Sequence, residues 1–113
     1  MKQVADIIMH PVPKARPRVN GKAYTPKETR DAEREFCYLW KTQCDPQPDY
    51  IRPVRVSIDV HSVKGRGDLD NYVKLVLDAL NHVAFRDDRY VVEIRARRFK
   101  DMPEGYHVEV EYL

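Results

Sequence analysis

Alternating apolar and polar residues mark the clearest strand in the chain. Between positions 54 and 60 every second residue is Val or Ile and the intervening residues are polar, the period of two expected of a strand with one buried face. Apolar clusters predict further strands over residues 4–9, 90–99 and 106–112. Proline-rich sequence follows the first strand and predicts a long irregular loop, and a Pro-Glu-Gly turn separates the last two strands.

Two other segments follow the three- and four-residue steps of helices. The first begins at Thr25–Glu28, which has the form of a capping box with proline at the first helical position. It runs to about Gln43, and its mostly apolar stripe is formed by Ala32, Phe36, Leu39, Trp40 and Gln43. The second runs from about Asp68 to Asn81. Its predicted apolar face consists of Leu69, Val73, Val76 and Leu80, and its polar stripe of Asp70, Lys74, Asp78 and Asn81.

The resulting order β-α-β-α-β-β predicts an α+β (mixed α/β) fold. We expect a mixed sheet of about four strands with two main helices packed against it. A chain of 113 residues is the size of one domain, and the pattern contains neither an internal repeat nor an interdomain linker. Residues 1–113 are therefore expected to form a single domain.

Charge is balanced globally but not locally. The chain has 20 Lys and Arg against 18 Asp and Glu, a formal charge of +2, and its charged fraction of 34% disfavours an embedded membrane protein. A membrane span of about 20 apolar residues is also missing, so a cytoplasmic location is the expectation. Residues 11–25 contain basic side chains and no acid. The candidate nucleic-acid contacts are Lys14, Arg16, Arg18, Lys22, Lys27, Arg66, Arg95 and Arg97.

Acidic residues flank the second predicted helix. Asp68 and Asp70 converge only at its start, because two residues turn a helix by about 200°. Asp87 and Asp88 follow its opposite end, so they reach the same place only if the next strand runs back alongside the helix. Clustered carboxylates hold a divalent cation or a proton, and oxygen ligands favour magnesium or manganese. Within a basic surround, such a site fits a phosphodiester substrate.

Structural alternatives remain open at each of these positions. Asp68 and Asp70 also suit N-capping and the helix dipole. Lys74 suits an ion pair one helical turn from Asp70, or a contact to a phosphate bound at a metal. Asp78 is expected to pair with Lys74 rather than to join the site.

The central motif of the chain consists of Gly67, Asp68, Leu69, Asp70, Asn71, Lys74, Leu77, Asp78, Ala79, Leu80, Phe85, Asp87 and Asp88. In the order of these residues the motif resembles the RusA family of Holliday junction resolvases. The resemblance implies a homodimeric, magnesium-dependent endonuclease, with manganese as an alternative, that hydrolyses two symmetric strands of a four-way DNA junction in recombination and repair. It implies a bacterial or prophage origin and no organic cofactor. By the same resemblance Asp68, Asp70 and Asp88 bind the metal and Lys74 is catalytic.

Two other functions remain in view. One is a nuclease that acts on DNA flaps or single strands. The other is a DNA-binding protein without catalysis, in which the acids only cap a helix. Both the resemblance and the absence of a serine or cysteine beside a base favour hydrolysis over covalent catalysis.

Overall fold

The computed structural model describes residues 1–15, 18–19, 21–23, 25–65 and 67–113, with residues 18–19 and 22–23 as backbone only. Its elements, in chain order, are β1 (Lys2–Ile8), β2 (Arg18–Val19), β3 (Lys22–Ala23), α1 (Lys27–Lys41), β4 (Val54–His61), α2 (Leu69–Leu80), a 3₁₀ turn (Asp88–Tyr90), β5 (Val91–Phe99) and β6 (Gly105–Tyr112).

Four strands form a mixed sheet in the order β1-β6-β4-β5. β6 is antiparallel to both β1 and β4, whereas β4 and β5 are parallel and are joined through α2. The α+β class and the order of the main elements are confirmed. β2 and β3 form a separate antiparallel pair within the basic segment, where an irregular loop was predicted, because two-residue strands are too short to produce a periodic pattern.

One face of the sheet and the two helices enclose the core. Ile58 and the three valines of β4 are fully buried and alternate with partly exposed polar residues. Phe36 and Trp40 of α1 are also fully buried. The opposite face of β4 carries Arg55, Ser57, Asp59 and His61. The sheet therefore has an apolar face beneath the helices and a polar face turned away from them.

The start of α1 differs in detail from the prediction. The helix begins at Lys27 after Pro26, and no side chain caps it, so Thr25 and Glu28 do not form the predicted capping box. The apolar stripe of this helix is confirmed, since Ala32, Phe36 and Trp40 are buried. Among the helices of the described residues, neither is long and apolar enough to cross a lipid bilayer.

The bounds of α2 agree with the prediction, but its buried face is rotated. Its N-cap and C-cap residues are Asp68 and Asn81. The buried residues are Tyr72, Leu75, Val76, Ala79 and Leu80. Leu69 and Val73, predicted to face the core, are only partly buried at its margin. The apolar arc of this helix is wide, and the contacts with α1 and the sheet, which periodicity does not report, decide which part of the arc is covered.

Candidate metal and nucleic-acid site

Asp68 and Asp70 lie together at the beginning of α2. Gly67 precedes them with φ of +75°, a left-handed conformation that favours glycine. Asp68 occupies the N-cap position and Asp70 the first turn, and both are exposed. The Asp68 side chain makes no capping hydrogen bond, and neither carboxylate forms a hydrogen bond or ion pair within the described part of the chain. Two carboxylates are thus available to a ligand at one helix start.

Lys74 lies one turn beyond Asp70 and is held by Asp78. The Lys74 Nζ is 3.3 Å from the Asp78 Oδ1, and 48% of the Lys74 side chain is exposed. The expected pairing of Asp78 with Lys74 is confirmed. In this arrangement the ammonium is directed toward the following turn of the helix rather than toward Asp70, while it stays within reach of solvent.

Lys14 lies on the other side of Asp78 and is partly buried. Its ammonium is 2.6 Å from Glu33 of α1 and 3.1 Å from Asp78 of α2, and only 9% of its side chain is exposed. Its backbone N–H donates to the carbonyl oxygen of Asn71 at 2.9 Å. Burial opposes the charge on this ammonium, but the hydrogen bonds to the two acids outweigh burial and raise the pKa of Lys14.

These contacts place Lys14 as a cross-link between the proline-rich segment, α1 and α2, not as the surface phosphate contact that its sequence context predicts. The physical reason is that two acids on different helices converge on this one ammonium. Sequence reasoning missed Glu33, which gives no local sign of this partnership because it lies 19 positions away.

Asp87 and Asp88 lie at the far end of α2. The backbone N–H of Asp88 donates to the side-chain oxygen of Asn81, the C-cap of the helix, at 3.0 Å. The Asp87 carboxylate accepts from the N–H of Arg89 at 2.9 Å, and this backbone hydrogen bond is the main reason that the pKa of Asp87 is lowered. The second acidic pair is therefore fixed to the C-terminal end of the helix.

The length of α2 separates the two acidic groups within one chain. Thirteen steps of 1.5 Å place Asp68 and Asn81 about 20 Å apart, and Asp88 is bonded to Asn81. The next strand, β5, does run back alongside the helix, because it is parallel to β4. Asp88 precedes β5, however, and the first residue of β5 pairs with the first residue of β4. Asp88 therefore lies near the beginning of β4, whereas α2 starts after the end of β4. Among the described residues, no three His, Cys, Asp or Glu side chains form a group that could hold a metal. The expected convergence of Asp88 with Asp68 and Asp70 does not occur within one chain.

The carboxylates at the start of α2 nevertheless fit magnesium. Magnesium is commonly held by one or two carboxylates, several waters and the phosphate oxygens of a substrate. Asp68 and Asp70 provide two exposed acids with no competing protein partner in the described part of the chain. Manganese, which accepts the same oxygen ligands, fits equally well.

The predicted basic contacts are spread over several surfaces. Arg95 and Arg97 pair in register with Ser57 and Asp59, so they lie on the polar face of the sheet, opposite α2. Arg97 donates from Nε and Nη2 to the two carboxylate oxygens of Asp59, at 3.1 Å each. The structure thus does not bring these two arginines to Asp68 and Asp70.

The remaining basic residues belong to the loops and the start of α1. Lys27 is exposed and pairs with Asp31 at 2.7 Å. Arg16 and Arg66 lie outside the described residues, and Arg18 and Lys22 are described as backbone only. A cleft of about 430 Å³ lies between the proline-rich segment and the start of α1, and its walls include Pro13, Thr29, Lys64 and Tyr72. Because Tyr72 is in the first turns of α2, this cleft adjoins the acidic motif.

An apolar surface flanks α2 on the side away from Lys14. Ile94 pairs in register with the buried Val56, so it lies on the helix-covered face of the sheet, yet it is 46% exposed. Val92, two residues earlier in this edge strand, is 62% exposed. Three partly buried apolar residues of α2 stand four positions apart, so they share one side of the helix. Together, five residues form the α2–β5 apolar surface: Leu69, Val73, Leu77, Val92 and Ile94.

Fold and site define a small α+β protein that presents an acidic motif at the start of a helix, next to a basic, proline-rich segment. Comparison with protein families identifies the family: a family model described as "Endodeoxyribonuclease RusA" matches residues 9–111. The chain therefore belongs to the RusA family of endodeoxyribonucleases, and the resemblance seen in the central motif is confirmed. An "Uncharacterized protein YqaN" of Bacillus subtilis (strain 168) is 53% identical over 32 residues, 28% of this chain and 22% of that protein.

Proposed function

We propose that the protein is a divalent-metal-dependent endonuclease that cuts two symmetric strands of four-way DNA junctions in bacterial or prophage recombination and repair. Membership of the RusA family supports the nuclease class. The single observation that carries the metal dependence is that Asp68 stands at the N-cap position of α2 without capping it. An acid present only to cap the helix would accept a hydrogen bond from a backbone N–H there.

Asp68 and Asp70 are the residues that would hold the cation, either magnesium or manganese. When bound, the cation would stabilise negative charge on the attacked phosphodiester and lower the pKa of a water. Lys74, with nearly half of its side chain exposed and one turn from Asp70, would stabilise charge on the phosphate or on the departing oxygen. In the absence of DNA this ammonium is paired with Asp78, and it would have to turn from Asp78 to reach a phosphate bound at the acidic motif.

Asp88 would bind the same cation as Asp68 and Asp70 only if a second copy of the chain supplied it. The two acidic groups of one chain lie about 20 Å apart along α2, whereas the oxygen ligands of a magnesium ion lie about 2.1 Å from it. Two α2 helices packed antiparallel at the usual 8–10 Å would set the start of each helix beside the end of the other. A twofold dimer would then contain two sites, each with Asp68 and Asp70 from one copy and Asp88 from its partner.

The α2–β5 apolar surface supports this arrangement. It runs along the flank of α2 that an antiparallel copy would cover, and it includes the most exposed apolar residues of the edge strand β5. Exposed apolar surface beside an unpaired strand edge favours association. Two sites related by a twofold axis also match a junction in which two symmetric strands are cut.

The basic, proline-rich segment and the neighbouring cleft are proposed to guide the DNA to the acidic motif. The cleft borders Pro13 and Lys64, and Pro13 lies against Gly67, where an added Cβ would approach its side chain to 3.3 Å. A strand lying in this cleft would pass the beginning of α2. Phosphate contacts from Lys64 and the predicted basic residues would position the backbone without reading sequence.

The test is cleavage of an end-labelled four-way junction with and without magnesium, beside a flap and a linear duplex of the same sequence. We expect paired nicks on opposite strands of the junction only when magnesium is present. Preferential cleavage of the flap would instead favour a flap nuclease. Junction binding without any product, over a full titration of magnesium and manganese, would contradict the endonuclease and favour a DNA-binding protein.

A further inference from the structure

The guanidinium of Arg98 lies between the sheet, the turn before α2 and the helix itself. Arg98 pairs in register with Val60, whose side chain is fully buried, so Arg98 is directed to the helix-covered face of the sheet. At the corresponding earlier positions of β5 stand Ile94 and Ala96. An arginine therefore occupies a place where the alternation calls for an apolar residue.

Three contacts attach Arg98 to the beginning of α2. Its Nη2 donates to the carbonyl oxygen of Gly67 at 2.7 Å. Its Cζ lies 4.9 Å from the centre of the Tyr72 ring, a distance typical of a cation–π contact. A Cβ added to Gly65 would lie 3.5 Å from the same guanidinium, so the backbone of the turn lies directly on it.

The burial of the Arg98 Nε indicates that this geometry has a role. Its Nε is buried and has no hydrogen-bond partner among the described residues, and a buried N–H without a partner disfavours the folded state. A residue needed only for packing at this position would be apolar. The planar guanidinium can both stack on Tyr72 and donate to Gly67 in one fixed geometry, which a lysine ammonium does not reproduce.

We propose that Arg98 is a positioning residue that fixes the backbone entering α2 and thereby the directions of the Asp68 and Asp70 carboxylates. The argument rests on the proposed function for the role of these acids. The carbonyl that Arg98 holds belongs to Gly67, directly before Asp68, and the stacked Tyr72 follows Asp70 by two residues. Arg98 thus contacts the chain on both sides of the two acids and need not touch the metal or the DNA.

The first test uses the protein without metal or DNA. Hydrogen–deuterium exchange of residues 67–72 is compared in the wild type, Arg98→Ala and Arg98→Lys, with Arg34→Ala as the control because Arg34 is exposed on α1. We expect residues 67–72 to exchange faster in both Arg98 variants than in the wild type, and at the wild-type rate in the control. Arg98→Lys keeps the charge and gives a second, milder substitution if Arg98→Ala folds poorly. Wild-type exchange in Arg98→Lys would overturn the proposal.

The second test is the binding of Mn²⁺ alone, followed by electron paramagnetic resonance. Residues that orient metal ligands typically change affinity by 10–100-fold, so we expect the affinity to fall by about tenfold in Arg98→Ala and Arg98→Lys and to stay unchanged in Arg34→Ala. Unchanged affinity in the Arg98 variants would overturn the positioning role while leaving the proposed function intact. A wild type that binds no Mn²⁺ and cuts no junction would contradict the proposed function, and the exchange experiment would then decide the role of Arg98.

Discussion

Asp68 and Asp88 lie at opposite ends of α2, at its N-cap and beside its C-cap residue Asn81, about 20 Å apart along the helix axis. Because α2 is a regular helix whose ends are fixed by the sheet connections on either side, local adjustment does not bring the two residues together. A metal site that uses both acids must therefore join two copies of the chain. This relationship determines most of what the protein can be expected to do.

Replacing Asp70 by Asn should separate binding from catalysis. The substitution keeps the size of the side chain but removes the charge that would hold a cation, so we expect junction binding within about twofold of the wild type and loss of cleavage by about a thousandfold or more. Gel-shift and single-turnover cleavage assays measure the two quantities. Asp49→Asn, which neutralises another exposed acid, is the matched control. Magnesium-dependent cleavage retained by Asp70→Asn would contradict the carboxylate mechanism.

Placing a charge on the α2–β5 apolar surface should abolish dimerisation. Ile94→Glu would introduce a carboxylate into the proposed dimer contact at a position that is 46% exposed in the monomer, so folding of the monomer should persist. We expect a monomeric mass by light scattering and loss of cleavage. Ile51→Glu, at a site 52% exposed on another surface, should remain dimeric and active. If Ile94→Glu remained dimeric, the dimer contact would have to lie on another surface.

Replacing Lys14 by Met should destabilise the fold. The substitution leaves the partly buried carboxylate of Glu33 without its partner, whereas Asp78 keeps Lys74. Allowing for solvent screening, we expect a loss of about 2 kcal/mol in the free energy of unfolding, measured with urea. Lys27→Met, which removes an exposed ion pair on α1, should change the stability little. Equal stability of the wild type and Lys14→Met would show that the pair of Lys14 and Glu33 contributes nothing to stability.

The pH dependence of this difference follows from the raised pKa of Lys14. A group whose pKa is higher in the folded state stabilises that state fully below its unfolded pKa, about 10.4 for lysine, and loses this effect as the pH rises through the folded pKa. The difference between the wild type and Lys14→Met should therefore be constant from pH 6 to pH 9, which lies below the unfolded pKa of lysine. Unfolding titrations at three pH values in this range measure it.

Removing the predicted phosphate contacts should reduce the salt dependence of DNA binding. Arg16 and Arg18 belong to the basic segment, and each phosphate contact contributes a slope of about 0.9 to the plot of log K against log salt. Replacing both by Ala should weaken junction binding and reduce the slope by about 2. The control replaces Arg30 and Arg34, both exposed on α1. An unchanged slope in the first double variant would place the DNA path on another surface.

Local sequence patterns predicted the strands and helices well, because periodicity and polar end residues determine where these elements form. The alternation that ends at Val60 reports one buried face of β4, and the bounds of α2 follow from the polar residues Asp68 and Asn81 at its two ends. The acidic pair at the start of α2 was predicted for the same reason. What could not be read from these patterns is which residues meet across the fold, such as Lys14 with Glu33.

The roles of Arg98 and Asp88 show the same limit. Arg98 interrupts the apolar alternation of β5, a signal that is present in the sequence, but its contact with Gly67 depends on how the turn lies over the sheet. The distance between Asp88 and Asp68 depends on the direction of α2 between two parallel strands. The family resemblance predicts which acids hold the metal, whereas only the three-dimensional arrangement shows that one chain keeps these acids apart.

Mixing two inactive variants tests the two-copy site most directly. A mixed dimer contains one copy with Asp70→Asn and one copy with Asp88→Asn. If each site is built from both copies, one of the two sites carries both substitutions and the other keeps Asp68, Asp70 and Asp88 intact. We predict that each variant alone leaves a labelled junction uncut and that the mixture, after subunit exchange, nicks one strand in the presence of magnesium. A mixture as inactive as its components, with exchange demonstrated by mass spectrometry, would contradict the proposed site.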